Sequence, residues 1–270
     1  MKEVFGKYEE GMKLADLHVH TNLSPDSRGG GLDPEELVDL ISETDLNVVA
    51  VTDHHIVFGA EIAKEYAAKN KKPIEIVTGI EISTDKGHIV GLYVREPIGS
   101  VRLEQAIYDI HRQGGLVIVP HPFLRTAGNR PLSLSEEALN SVTCDDSWEL
   151  YFDGFEVYSQ GAQDIFDARG GSGDDTNRLS LEYYLQHKEK LGAAISSSDS
   201  HGITVGRAKT AYHGNLGKAI EESKTVALEL SLAEQGAIYD TATTRFGTGR
   251  GTQSKMKGRL RAFFENQPNA

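Results

Sequence analysis

Cysteine is nearly absent from the 270 residues, which contain only Cys144. One cysteine excludes an internal disulfide and any thiolate-rich zinc site, and it fits a reducing cytoplasm. No apolar run reaches the roughly 20 residues that cross a bilayer, and the opening MKEVFGKYEE carries no apolar h-region. The expectation is a soluble cytoplasmic protein without a membrane partner. Positive charge is scarce as well. With 28 Lys+Arg against 40 Asp+Glu the formal charge is -12, which argues against a long nucleic-acid groove. Common nucleophile and phosphate-loop motifs are missing: there is no G-x-S-x-G elbow, no Walker glycine loop and no convincing Cys/His pairing.

What is present is a series of short, near-continuously apolar runs: KLADLHVH, LNVVAVTDHH, IEIVTGIEIS, HIVGLYV, GLVIVPHP, DGFEVYS and GAAISSSDSH. Such runs suit strands buried on both faces of a parallel sheet or barrel. Between them DPEELVDLISETD reads as a helix, with Asp33 as N-cap, Pro34 at the first helical position and Leu37, Leu40 and Ile41 on one face. RLEQAIYDIHRQGG and RLSLEYYLQHKEKLG read the same way, each closing at glycine. Alternating strands and helices predict an α/β fold. Residues 126–150 read as an insertion loop with a short helix, and ARGGSGDDTNR as a mobile loop. The division expected is a barrel over 1–230 followed by a basic tail, 231–270, helical or partly disordered.

The informative feature is where the histidines fall. LHVH ends the first run, TDHH the second, and HP and SDSH end later ones. Residues i and i+2 of a strand share a face, so His18 and His20 aim at one point, although a solvent-facing polar pair has the same spacing. Six of the ten histidines lie at such positions: His18, His20, His54, His88, His121 and His201. His88 differs in opening its run. Asp26, Glu81 and Asp199 stand among them. In parallel barrels chemistry gathers at the carboxyl ends of the strands. Nitrogen and oxygen donors without sulfur suit Mn, Zn, Fe or Mg, and this many donors suggest more than one ion. Asp53 is expected to orient a neighbour or support the fold. His55 faces away if TDHH stays extended, and a bend would bring it to the substrate. Arg125 and Arg207 could each hold a phosphate at the mouth or lie on the surface. His111, His187 and His213 read as packing or surface residues.

In order and wording, DLHVHTNLSPDS, AVTDHH, GIEIS, PHP and SSSDSH resemble the motifs of the PHP (polymerase and histidinol phosphatase) superfamily, over about residues 13 to 215. The resemblance implies a distorted seven-stranded (β/α) TIM-like barrel with two to three divalent metals at the carboxyl ends of its strands. Carried over residue by residue, it gives one metal to His18, His20, Glu81 and Asp199, a second to Glu81, His88 and His121, and a third to Asp26, His54 and His201. Some relatives have a His or Cys near Glu156; the carboxylate here is expected to support a ligand, with direct ligation as the alternative.

The function implied is a phosphoesterase acting on a small phosphorylated metabolite, most of all a nucleotide or short RNA, with a metal-bridging hydroxide as nucleophile. Histidinol phosphate is the next substrate. A non-catalytic, metal-stabilised PHP module is an alternative of another class. Amide or ring hydrolysis of the amidohydrolase kind is disfavoured because no strand-end motif supplies the lysine that family usually carboxylates.

Overall fold

The structure, a computed structural model, describes residues 4–27, 31–125, 132–142, 150–169 and 175–228. Cys144, the basic tail and the centre of the ARGGSGDDTNR loop lie outside the described residues.

Seven strands coincide with the seven apolar runs: β1 (Lys13–Val19), β2 (Val48–Val51), β3 (Glu75–Thr84), β4 (Gly87–Leu92), β5 (Leu116–Val119), β6 (Gly154–Ser159) and β7 (Ala193–Ser197). Two more, β8 (Lys209–Tyr212) and β9 (Thr225–Leu228), complete one sheet in the order β7-β6-β5-β4-β3-β2-β1-β8-β9. The sheet nearly closes. The β1 and β7 ends meet at a parallel bridge between Val19 and Ser200, where His20 N–H donates to the Ser200 carbonyl at 2.8 Å. Below it, Ser196 Oγ donates to the Leu228 carbonyl and Thr225 Oγ1 to the Ala194 carbonyl, tying β9 to β7.

The fold is the expected α/β barrel, with two differences from seven uniform β/α units. β3 turns directly into β4, which pairs antiparallel with both β3 and β5. β8 and β9 form an antiparallel pair against β1, with a short helix over Leu216–Glu221 between them. The reversal of β4 explains why His88 opens a strand: the amino end of a reversed strand lies beside the carboxyl ends of its neighbours.

Helices α1 (Pro34–Ile41), α2 (Phe58–Lys69), α3 (Leu103–Arg112), α4 (Glu136–Ser141), α5 (Gln160–Ala168), α6 (Thr176–Leu191) and α7 (Leu216–Glu221) lie among the strands. Asp33 caps α1 in a full capping box with Glu36. The insertion does carry a short helix, α4. The segment read as a mobile loop is in part helical, since Ala168 ends α5 and Asp175 caps α6. Among the described residues no helix is long and apolar enough to cross a membrane.

A core cluster drawn from strands around the barrel, including Ala15, Leu17, Ala50, Val77, Val90, Ile118 and Ile195, fills its interior. Leu14 and Val19 pack outward with Leu37, Ile41 and Ala63 of α1 and α2. Ala15 and Leu17 therefore point inward while Val19 points outward, which strict alternation forbids. A register shift between Asp16 and Val19 resolves this, and the irregularity turns His18 inward with Leu17 beneath it.

Candidate metal centre

Glu81, buried on β3, is the hub. Its Oε2 lies 3.2 Å from His18 Nε2, 3.1 Å from His20 Nε2 and 3.1 Å from His54 Nε2. Its Oε1 lies 2.8 Å from His88 Nδ1 and 3.2 Å from His121 Nε2. Asp199 Oδ1 stands 3.5 Å from Nε2 of both His18 and His20, whose own Nε2 atoms are 3.1 Å apart. On the outer side Asp26 Oδ2 contacts His54 Nε2 at 3.2 Å and His201 Nε2 at 2.7 Å. All nine expected donor residues therefore meet at the strand ends.

The spacing can be tested against a metal. Four donors held tetrahedrally at about 2.0–2.1 Å from one centre are about 3.3–3.4 Å apart. The contacts among His18, His20, Glu81 and Asp199 run from 3.1 to 3.5 Å. Four overlapping triads have donor atoms within 4.8 Å of one another: His18–His20–Asp199, His18–Glu81–His121, His20–Asp26–His201 and His20–His54–Glu81. His88 belongs to none of them and joins the cluster through Glu81.

Ring orientation supplies a second test. Metal-binding imidazoles have their remote nitrogen held by an oxygen, which fixes the tautomer and leaves a lone pair for the ion. Here His18 Nδ1 meets Glu156 Oε1 at 3.1 Å, His20 Nδ1 meets Ser24 Oγ at 3.3 Å, and His121 Nδ1 meets Ser133 Oγ at 2.7 Å. His201 Nδ1 faces the Asp199 carbonyl at 3.2 Å, and His88 Nε2 faces Ser83 Oγ at 3.2 Å. The donor spacing fits divalent ions, and five of the six imidazoles meet the second test as well.

Glu156 thus touches His18 on the side away from the cluster. It also accepts from Ser197 Oγ and, at 2.6 Å, from His121 N–H. Asp53 is turned to Thr21, accepting its N–H and its hydroxyl at 2.7 Å each. His55 is exposed at the rim with φ of 60°. His121, Phe123 and Asp199 also adopt positive φ, so left-handed backbone conformations recur at the mouth, where such strain commonly accompanies function. Arg207 Nη1 is engaged by Asp164 Oδ2 of α5 at 2.8 Å, and the exposed Arg125 gives its carbonyl to Arg169. His111 pairs with Asp153, His187 packs against Tyr183 with the rings tilted, and His213 is exposed.

The hydroxyl supports were not read from the sequence. Ser24 donates to Asp26 Oδ1 at 2.5 Å, accepts from His54 N–H at 3.1 Å and meets His20, so one hydroxyl touches three candidate ligand residues. Its place between His20 and Asp26 in the first motif was the available signal. Ser133 had none, since it returns from the insertion loop. The segment it sits on approaches β4 so closely that a Cβ at Gly87, whose φ is +132°, would lie 2.4 Å from the Ser133 carbonyl carbon. Ser24→Ala is expected to weaken metal binding about 10- to 100-fold while the fold survives, as read by metal titration and melting. Affinity within twofold of the parent would remove Ser24 from the support of the cluster.

Charge is concentrated and balanced. Burial works against ionisation of Glu81, yet His54, His18 and His88 outweigh it and hold the carboxyl well below its ordinary range. Asp199 and Asp26 are held low in the same way, chiefly by His18 and by His201 respectively against the effect of burial. Burial would lower the imidazoles, but the facing carboxylates raise His18 and His121 and bring His20 to about 10. His88 is lowered because burial prevails there.

The model of the PHP domain family matches residues 16–231. An uncharacterized protein of Methanocaldococcus jannaschii is 32% identical over 156 residues, which cover 54% of this chain and 81% of that protein. A 5'-3' exoribonuclease of Haemophilus influenzae is 44% identical over 84 residues, 30% of this chain and 28% of the exoribonuclease. Among solved structures, a two-domain Bacteroides vulgatus protein containing a predicted PHP-like metal-dependent phosphoesterase superposes with a TM-score of 0.61. That match has 16% identity and covers 88% of this chain and 72% of the other.

Proposed function

Because this chain belongs to the PHP domain family, we propose that it is a metal-dependent phosphoesterase acting on a nucleotide or a short oligonucleotide in the cytoplasm. The observation that carries the reading is Glu81, a buried carboxylate whose two oxygens face five imidazole nitrogens at 2.8 to 3.2 Å.

His18, His20, Glu81 and Asp199 would hold one ion, Glu81, His88 and His121 a second, and Asp26, His54 and His201 a third. Two to three such ions, with Mn, Zn or Fe favoured by the donors, would supply charge neutralisation at the phosphoryl group and a bound water of lowered pKa. The chain's own part is positional. Glu156, Ser24, Ser83 and Ser133 hold the imidazoles with a lone pair turned inward. Arg125 and Arg207 supply guanidinium groups for the phosphate, Arg207 with Asp164 steadying it. His55 at the rim is available to the leaving group.

The nucleotide preference draws on the short segment shared with the exoribonuclease. The net charge of -12 favours a small anionic substrate over a long nucleic acid. The test is phosphate release by metal-reconstituted protein from nucleoside monophosphates, nucleoside bisphosphates, 5'-phosphorylated short RNA with the nucleotides it yields also counted, and histidinol phosphate. Each reaction is paired with a chelated control. Chelator-sensitive turnover of the nucleotide or RNA group is expected. Turnover of histidinol phosphate alone would reassign the substrate, and silence with metals verified in place would favour a non-catalytic module.

A further inference from the structure

Asp199, like His121, is a donor residue with positive φ, and its backbone is held on both sides. Its φ is +48°, a conformation that costs an ordinary residue energy. Ser198 before it is pinned twice: its N–H donates to the buried Asp16 Oδ1 at 3.0 Å, and its carbonyl accepts from Gly161 N–H at 3.0 Å. Asp16 Oδ2 also accepts from Gly206 N–H at 2.8 Å, tying the far side of the loop to the same carboxylate. Ser200 after it is held by His20 N–H. Crowding at Asp199 therefore displaces its carboxylate, by rotating the side chain or by shifting a strained backbone against these hydrogen bonds.

Gly161, at the second position of α5, is what lies against that side chain. A Cβ built on Gly161 would fall 2.6 Å from Asp199 Oδ2, 2.9 Å from its Cβ and 3.1 Å from its Cγ. The position has no positive φ, so alanine suits the local helix and would ordinarily be the better helix former there. Its absence has a steric reason instead. We propose that Gly161 is a positioning residue for the metal centre: the bare α-carbon lets Asp199 stand with Oδ1 equidistant from His18 and His20, and any side chain there turns the carboxylate away. The inference rests on the proposed role of Asp199 as a ligand.

The test compares Mn(II) affinity and melting temperature, with and without the ion, for Gly161→Ala, Asp199→Gly and the double variant. Glycine at 199 tolerates the positive φ and removes the three atoms nearest to the new methyl. Expected are a loss of Mn(II) affinity of about tenfold or more in each single variant, and no further loss in the double variant. If Gly161→Ala also lowers the metal-free melting temperature, Asp199→Gly must relieve that drop, because the collision is with this one side chain. Unchanged Mn(II) affinity in Gly161→Ala, alongside the loss in Asp199→Gly, would overturn the inference. Additive losses in the double variant would overturn it as well. Unchanged affinity in Asp199→Gly would instead remove Asp199 from the metal centre and the premise with it.

Discussion

Glu81→Gln is expected to lower bound metal below about a tenth of the parent's and phosphate release by about 100-fold or more, effects larger than those of altering a supporting hydroxyl. The substitution keeps the volume and one carbonyl oxygen, so cavity formation does not complicate it. What changes is that one of two oxygens becomes an NH2 group. Whichever way the amide turns, that group faces either His18, His20 and His54 or His88 and His121, each now 2.8 to 3.2 Å from a carboxylate oxygen. An NH2 group donates no lone pair to an ion. The metal-free protein should melt lower too, because the histidines on that side lose their counter-charge while staying buried. His213→Ala is the control. His213 is exposed and follows Tyr212, which pairs with Lys13 at the opposite end of β1, so both readouts should stay at parent values. Near-parent metal content in Glu81→Gln, measured by elemental analysis after desalting, would defeat the assignment of Glu81 as the shared ligand.

How far the sequence anticipated this site depends on how local each signal was. His18, His20, His54, His121 and His201 were legible because each ends an apolar run. β4 was visible as a run, but its direction was not: the turn at 85–86 makes it a hairpin with β3, and apolar content does not encode strand polarity. The β8–β9 pair was missed because its strands are short and begin with the polar Lys209 and Thr225, whereas the equally short β2 and β5 are wholly apolar. Lys209 is buried by virtue of an ion pair with Asp45, which no reading of neighbours in the chain reveals. α2 was passed over because FGAEIAKEYAAK places only the small Gly59, Ala60, Ala63 and Ala67 on its buried face, so apolar periodicity is weak. The supports Ser133 and Ser197 come from a loop return and from the strand beside Glu156, and hydroxyls in such places carry no spacing signature. The inward turn of His18 depends on a register shift that alternation alone predicts against.

Metal uptake should release protons, and it should keep tightening above neutral pH. An isolated histidine is mostly neutral above about pH 6.5, so an ordinary imidazole site gains little affinity beyond that point. In this cluster burial would depress His20, but the Asp199 and Glu81 carboxylates raise it to about 10, and Asp199, Glu81 and Glu156 raise His18 against the same effect of burial. His20 therefore holds a proton at pH 7 in the metal-free protein, and an ion bound through its Nε2 must displace at least that one. The apparent Kd then falls by about tenfold or more per pH unit until that proton leaves unaided. Titration calorimetry at pH 7 and 8 in buffers of different ionisation enthalpy counts the protons directly. Stability has the opposite sign without metal. A histidine whose folded pKa is raised stabilises fully below its unfolded value near 6.5 and loses that contribution as pH climbs towards the folded one. Metal-free protein should therefore melt lower at pH 9 than at pH 7, whereas at a fixed subsaturating concentration of free ion the tightening affinity should raise the metal-dependent gain in melting temperature over the same range. No proton release at pH 7 would mean that the imidazoles are already neutral, and that the carboxylates alone carry the charge of the empty cluster.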